Sequence, residues 1–247
     1  LIFSVKNILQ DTSLTTVILT SDSTVIGYGL EYINATDIIH IAGHQENIEH
    51  GQRATLNIGT GLGSSIMSWD SCLQSYVSHH GRAGRLEFAP SNQDEYEISQ
   101  LIKEITGNSS VYWNNMVSGF GIKDLYTVLK SMNRYHDSLC LKNYDASIIF
   151  AYPEDELCAA TMNIFFKLLV RFARNYATAA FPFGGLYLAG EIITKNANRI
   201  AATFATEYNI CDLTLQEIVQ QVPIYMVTDY NVSLYGAMHY LLMQGCL

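Results

Sequence analysis

Arg53-Ala-Thr-Leu-Asn-Ile-Gly-Thr-Gly-Leu-Gly-Ser-Ser-Ile66 is a short apolar run that breaks into glycine at alternate positions, Gly59, Gly61 and Gly63. Apolar and β-branched residues on both sides predict a hairpin, with strands over 53–58 and 63–68 around the turn. Glycines spaced in this way let backbone N–H groups converge on a phosphate where side chains would otherwise stand in the way. A tight hairpin also needs glycine for its own geometry. The turn therefore has a phosphate-binding reading and a purely conformational one.

Upstream of the turn, the β-branched run 14–20 predicts a strand ending at Ser21-Asp22, followed by a helix to about residue 32 and a short strand over 37–42. Downstream, residues 71–90 read as irregular and bear several Gly and Arg residues. Helices are predicted over 93–106, 111–118, 121–132 and 155–179. Phe183 to Gly190 reads as a turn, a buried strand and a second turn. Helices over 192–205, 214–220 and 233–244 and a strand over 223–228 complete the chain. Strands alternating with long helices imply a layered α/β fold. No internal repeat or flexible linker interrupts it.

Composition narrows the function. With 14 Lys and Arg against 23 Asp and Glu, the formal charge is -9, so no cationic surplus exists to displace counterions from a nucleic acid. Charged residues make up only 15% of the chain, which favours a place inside an assembly, with a protein partner or a second copy. Cys72, Cys140, Cys158, Cys211 and Cys246 show no CxxC or close Cys/His spacing and read as reduced thiols. The longest apolar stretch, near 157–170, contains Asn163 and Lys167 and so reads as a buried helix and not a membrane span. No signal-peptide pattern is visible, and a cytoplasmic or cytoplasm-facing place is expected.

Several stretches, in order, resemble the bacterial-type glucokinase family of the sugar-kinase and actin superfamily. Asn57 to Gly63 resembles that family's second phosphate loop, and Leu86-Glu-Phe-Ala-Pro90 the end of its sugar loop. Val117-Ser-Gly-Phe-Gly-Ile-Lys-Asp-Leu-Tyr126 resembles its Ser-Gly helix motif, and Gly184-Gly-Leu-Tyr-Leu-Ala-Gly190 its adenosine motif. Val222-Pro-Ile-Tyr225 and Ser233-Leu-Tyr-Gly-Ala237 are similar to its last strand and closing helix. The resemblance implies an actin-like ATPase (ribonuclease H-like) α/β fold. It places residues 1–32 and 230–247 in a truncated small domain and 33–229 in a complete large domain. The family's first strand and its Gly-Gly-Thr loop have no counterpart here, about a quarter of the family pattern.

The resemblance also assigns roles. Asp22 stands where the family has the base that takes the hydroxyl proton, although an Asp there can equally cap the following helix. Gly59, Thr60, Gly61, Gly63 and Gly190 fall on nucleotide-binding positions. Ser21, Arg82, Arg85 and Asn114 fall on sugar-binding positions where the family has Asn, Glu, His and Glu. A carboxylate accepts hydrogen bonds from sugar hydroxyls, whereas a guanidinium only donates, so both charge and hydrogen-bond direction are reversed at Arg82. Glu191 replaces a glycine beside the expected adenosine. Among the implied sugar contacts only Asp22 keeps the family's residue, and each lost buried contact costs about 1–3 kcal/mol.

These substitutions favour a catalytically impaired relative kept as a structural or regulatory subunit, without cofactor. The alternative is an ATP-dependent glucokinase using Mg-ATP and glucose. A third reading has Arg82 and Arg85 adapt the cleft to an acidic ligand. His79-His80 reads as a loop pair lacking a third metal ligand. Asn163, Lys167 and Arg171 recur every four residues as a polar stripe, lining a cleft or contact or simply facing solvent. Phe165, Phe166 and Phe172 read as core.

Overall fold

The computed structural model describes residues 4–44, 48–142 and 144–245. Among them, β1 (Ile38–Ala42), β2 (Arg53–Ile58), β3 (Leu62–Asp70), β4 (Ser75–Gly81), β5 (Leu186–Ala189) and β6 (Ile224–Val227) form one sheet in the order β1-β6-β5-β2-β3-β4. The three central strands, β6, β5 and β2, are parallel, and β1, β3 and β4 add antiparallel edges. The helices are α1 (Val5–Asp11), α2 (Asp22–Gly29), α3 (Gln93–Thr106), α4 (Gly119–Met132), α5 (Ala146–Ala151), α6 (Glu156–Ala180), α7 (Glu191–Lys195), α8 (Ala197–Glu207), α9 (Leu213–Val219) and α10 (Val232–Met243).

Side chains alternate across a strand, and that alternation sorts the core into two layers. Leu186, Leu188, Ile224 and Met226 join a large cluster with Leu125, Met162, Phe165, Phe166 and Phe172 from α4 and α6. Tyr187, Ala189, Tyr225 and Val227 face the other way, onto Ile26 and Tyr28 of α2 and Val232 of α10. The sheet is thus covered on both faces, as its parallel centre requires. All three phenylalanines are buried core.

Helix α2 is a poor helix by composition. Its sequence, Asp-Ser-Thr-Val-Ile-Gly-Tyr-Gly, combines β-branched residues with two glycines. Packing holds it instead. Residues 23–29 are all buried, and a Cβ on Gly29 would lie 1.9 Å from the Val232 carbonyl oxygen of α10. A Cβ on Gly236 of α10 would lie 1.7 Å from the Val25 carbonyl oxygen of α2. The paired glycines let the two backbones touch, and that contact fixes the helix whose first residue is Asp22.

Four expectations are corrected. The run 14–20 forms no ladder among the described residues, because β propensity makes a strand only where another strand supplies hydrogen bonds. The supposedly irregular 71–90 contains β4, paired with β3 from Ser64↔Gly81 to Asp70↔Ser75, since its polar side chains sit on a half-covered edge. The predicted helix over 111–118 is a 3₁₀ turn, Trp113–Asn115. There Asn115 turns its side chain back to the Tyr112 N–H, and Ser118 caps α4. The predicted helix over 192–205 breaks at Asn196 into α7 and α8. The long helix closely matches its predicted span, with Asp155 as its cap. Cys72, Cys140, Cys158 and Cys211 are free thiols, while Cys246 lies outside the described residues. No helix among the described residues is long and apolar enough to cross a membrane.

Candidate active site

The hairpin forms as predicted, with Ile58 facing Leu62 across a loop of Gly59, Thr60 and Gly61. The Gly59 N–H donates to the Gly61 carbonyl (3.0 Å). The start of α4 grips the outside of the loop. Gly119 N–H donates to the Gly59 carbonyl (2.8 Å) and Phe120 N–H to the Thr60 carbonyl (3.3 Å). Asn114 fastens the far side, its Oδ1 accepting from the Leu62 N–H at 2.9 Å.

The three glycines of the turn do different work. A Cβ on Gly63 would lie 3.0 Å from Ser23 Cβ, so this glycine admits the N-terminus of α2 against the sheet. A Cβ on Gly59 would meet nothing within 4 Å, and one on Gly61 only Asn114 Oδ1 at 3.4 Å. The Thr60 and Gly61 N–H groups have no protein acceptor among the described residues. An open glycine backbone with two free donors fits an oxyanion such as a phosphate.

Asp22 stands beside this turn. Ser21 is the helix cap, accepting from the Thr24 N–H at 3.3 Å, so the capping role read for Asp22 is taken by its neighbour. The Asp22 carboxylate instead accepts from Asn57 Nδ2 (2.7 Å) and from the Ser23 N–H (2.8 Å). Asn57 is the penultimate residue of β2, held between Ala189 and Gly63 on the flanking strands. Asp22 is thereby oriented by the sheet while remaining exposed.

A cleft of about 500 Å³ brings together Ser21, Asp22, Gly59, Thr60, Gly61, Gly63, Arg82, Arg85 and Asn114, residues drawn from stretches far apart in the chain. Gly190 lies in an adjoining cleft of about 190 Å³, which shares Asp22 and Asn57 with the first. The Gly190 backbone, with φ of 111°, passes so close to β2 that a Cβ would lie 2.5 Å from the Ile58 carbonyl oxygen. Glu191 opens α7 and pairs with Lys195 at 2.5 Å, so its carboxylate has a partner along its own helix.

Two side chains of the site were missed or misread in the sequence. Asn57 was not singled out, although a polar residue at a strand end just before a glycine turn is the available signal. His80 was read as half of a surface loop pair. It is the penultimate residue of β4, lines the cleft, and bonds through Nδ1 to Ser21 Oγ at 2.9 Å. His79, on the opposite face of the strand, bonds instead to Ser68 Oγ. The polar stripe of α6 does not reach the cleft. Arg171 pairs with Glu95 at 2.7 Å and lies over the Phe88 and Trp113 rings, and Lys167 pairs with Glu207.

A protein-family model for glucokinase matches residues 2–244, nearly the whole chain. The chain belongs to the glucokinase family. Curated glucokinases of Yersinia pestis (strain Pestoides F) and Yersinia pseudotuberculosis serotype O:3 (strain YPIII) are 27% identical to it, with 97% of this chain and 72% of theirs aligned. The crystal structure of glucokinase from an Antarctic psychrotroph superposes with a TM-score of 0.77 at 24% identity, covering 98% of this chain and 73% of that one. A glucokinase from Balamuthia mandrillaris, solved with glucose, gives 0.73 at 20% identity over 88% of this chain and 63% of that one. A ROK family glucokinase from Streptomyces griseus, solved with glucose and AMPPNP, gives 0.62 at 13% over 96% and 71%. At these identities the structural likeness bears on fold. This glucokinase-family chain has the mixed α/β, actin-like ATPase fold of sugar kinases, as its motifs implied.

Proposed function

We propose that this chain is a sugar kinase, transferring the terminal phosphoryl group of Mg-ATP to a sugar hydroxyl held at Asp22. The observation that carries this reading is the exposed Asp22 carboxylate, oriented by Asn57 and facing the same cleft as the open glycine turn. When bound, Mg-ATP supplies the phosphoryl group, with the cation offsetting phosphate charge. The Thr60 and Gly61 N–H groups donate to phosphate oxygens, which approach closely because Gly59 and Gly61 carry no side chain. Asp22 accepts the hydroxyl proton as the sugar oxygen bonds to phosphorus. The bond from that phosphorus to the bridging oxygen breaks, and ADP leaves with the electron pair. Gly190 and the adjoining cleft receive the rest of the nucleotide. In this reading residues 1–32 with 230–247 form a smaller domain and 33–229 a larger one, and the protein works in the cytoplasm or facing it, where ATP is at hand.

The test is ADP release by the full-length protein with Mg-ATP and a panel of hexoses, hexose acids and hexose phosphates, with mass spectrometry of the product. Sugar-dependent ADP formation and a phosphorylated sugar are expected. A folded protein that turns over none of the panel would overturn the proposal.

A second reading, a catalytically impaired structural or regulatory subunit, rests on Arg82 and Arg85 standing where the family resemblance implies Glu and His. It predicts no detectable glucose binding and a stoichiometric partner on purification. Millimolar or tighter glucose binding with turnover would eliminate it.

A further inference from the structure

The cleft carries an uncompensated pair of cations. Arg82 caps the 3₁₀ turn Ala83–Arg85 and Arg85 is its last residue, on a rigid piece of backbone. The Arg85 N–H donates to the Arg82 carbonyl (2.8 Å), and the buried Ala83 N–H donates to Ser64 Oγ (3.0 Å). Gly84 passes so close to β3 that a Cβ would lie 2.4 Å from the Leu62 carbonyl oxygen. Ala83 and Gly84 are buried while both arginines are exposed at the rim. The turn thus holds two guanidinium groups over the cleft from an anchored base.

Neither cation has an ion-pair partner among the described residues. Among the described residues Arg53, Arg134 and Arg171 each pair with a carboxylate, whereas no ion pair involves Arg82 or Arg85. Arg85 lies only distantly over the Tyr112 ring, 6.0 Å from its centroid. The nearby Glu87 accepts from Ser110 Oγ. Among the described residues the single carboxylate lining the cleft, that of Asp22, is held by Asn57 and Ser23. A chain with a formal charge of -9 thus presents two unpaired guanidinium groups beside its candidate base.

We infer that the acceptor sugar is anionic, its carboxylate or phosphate bound by Arg82 and Arg85 while its hydroxyl lies at Asp22. The inference rests on the kinase reading of Asp22 and names the substrate class for that site. A guanidinium has five N–H donors and no acceptor, so it matches an oxyanion in a forked geometry better than a neutral polyol. His80 bonds to Ser21, the neighbour of Asp22, and Arg82 lies two residues further on, about 7 Å along extended chain. The arginine turn therefore rises from the Asp22 side of the cleft. The glycine turn already offers free N–H donors to the phosphates of the nucleotide.

The test is calorimetry on the full chain with D-gluconate, D-glucose 1-phosphate and D-glucose, each of which retains a free primary hydroxyl. The two acids distinguish a carboxylate from a phosphate as the recognised group. Expected is binding of one acid at least about tenfold tighter than glucose, weakening as salt rises. The double variant Arg82→Ala/Arg85→Ala should lose about tenfold or more of that affinity while its Mg-ATP affinity and thermal midpoint stay put. Arg→Lys at both positions should recover only part of the loss, because a point charge lacks the fork. Binding of neither acid, equal or tighter binding of glucose, or a loss confined to Mg-ATP overturns the inference. ADP formation with glucose alone would overturn it and keep the kinase reading. Arginine-dependent acid binding without ADP formation would do the reverse.

Discussion

Asn57 Nδ2 donates to Asp22 Oδ2 at 2.7 Å, and this bond ties the first residue of α2 to the end of β2 at the point where two clefts meet. It gives an exposed carboxylate a defined direction. Asp22→Asn keeps an oxygen that can accept the same bond but removes the proton acceptor. Turnover with whichever sugar the protein uses should fall by about 10²–10⁴-fold, with the thermal midpoint unchanged and nucleotide affinity preserved. Asn57→Ala should lower kcat less, because it frees the carboxylate without removing it. Steady-state kinetics beside calorimetric melting checks both variants, and a fully active Asp22→Asn protein would remove Asp22 from the reaction.

Gly59 separates the phosphate reading of the turn from the conformational one. A Cβ there meets nothing within 4 Å, so Gly59→Ala should leave stability within about 1 kcal/mol, a modest gain included through the unfolded chain. The added methyl group stands where a phosphate would approach the backbone. Nucleotide KM should rise several-fold with the urea midpoint unmoved. An unchanged KM would make the glycine turn a matter of chain geometry alone.

Gly236 tests the support beneath Asp22. A Cβ would overlap the Val25 carbonyl oxygen at 1.7 Å, and the obstacle is backbone that cannot rotate away. Gly236→Ala should destabilise the fold by about 3 kcal/mol by prising α10 from α2. Activity should fall with it, since α2 starts at the candidate base. Urea denaturation of the variant is the measurement, and a change below about 0.5 kcal/mol would contradict the contact.

Asp155 supplies the clearest pH dependence. Burial raises its carboxyl pKa, but hydrogen bonds from Ser138 Oγ (2.6 Å), the Ser138 N–H (3.0 Å) and the Cys158 N–H (2.9 Å) prevail and hold it below the ordinary 3.8. A folded-state pKa below the unfolded one stabilises the protein above the unfolded value, and the benefit disappears as pH falls through the folded one. Asp155→Ala should cost about 2 kcal/mol at neutral pH, as the cap of α6 is lost. The gap between wild type and variant should narrow below pH 3.8. Thermal melts across that range measure it, and a pH-independent gap would contradict the assignment.

Legibility followed the range of the interactions. The hairpin, the long helix capped by Asp155 and the helix over 93–106 were legible because their signals are local: glycine spacing, capping residues and apolar period. The run 14–20 and β4 were misread for one shared reason. A strand is defined by its partner, and a β-branched run without one stays outside the sheet, while the polar Ser75–Gly81 joins it as an edge. At the site, Asp22, the glycine turn and both arginines were singled out from the chain. Asn57 was not, and His80 was read only as a loop residue, because their roles consist of bonds to residues 35 and 59 positions away.

The sequence by itself determined the family, the order of the motifs and the presence of Arg82 and Arg85 in the loop after β4. These are properties of residue identity and spacing along one chain. Only the tertiary structure decided that Ser21 caps α2 and leaves Asp22 to the cleft, that Gly63 serves packing while Gly59 stays open, and that neither arginine has an ion-pair partner among the described residues. Each of those outcomes depends on which atoms lie within about 3 Å across the fold, and those distances are set by how stretches far apart in the chain pack on the sheet.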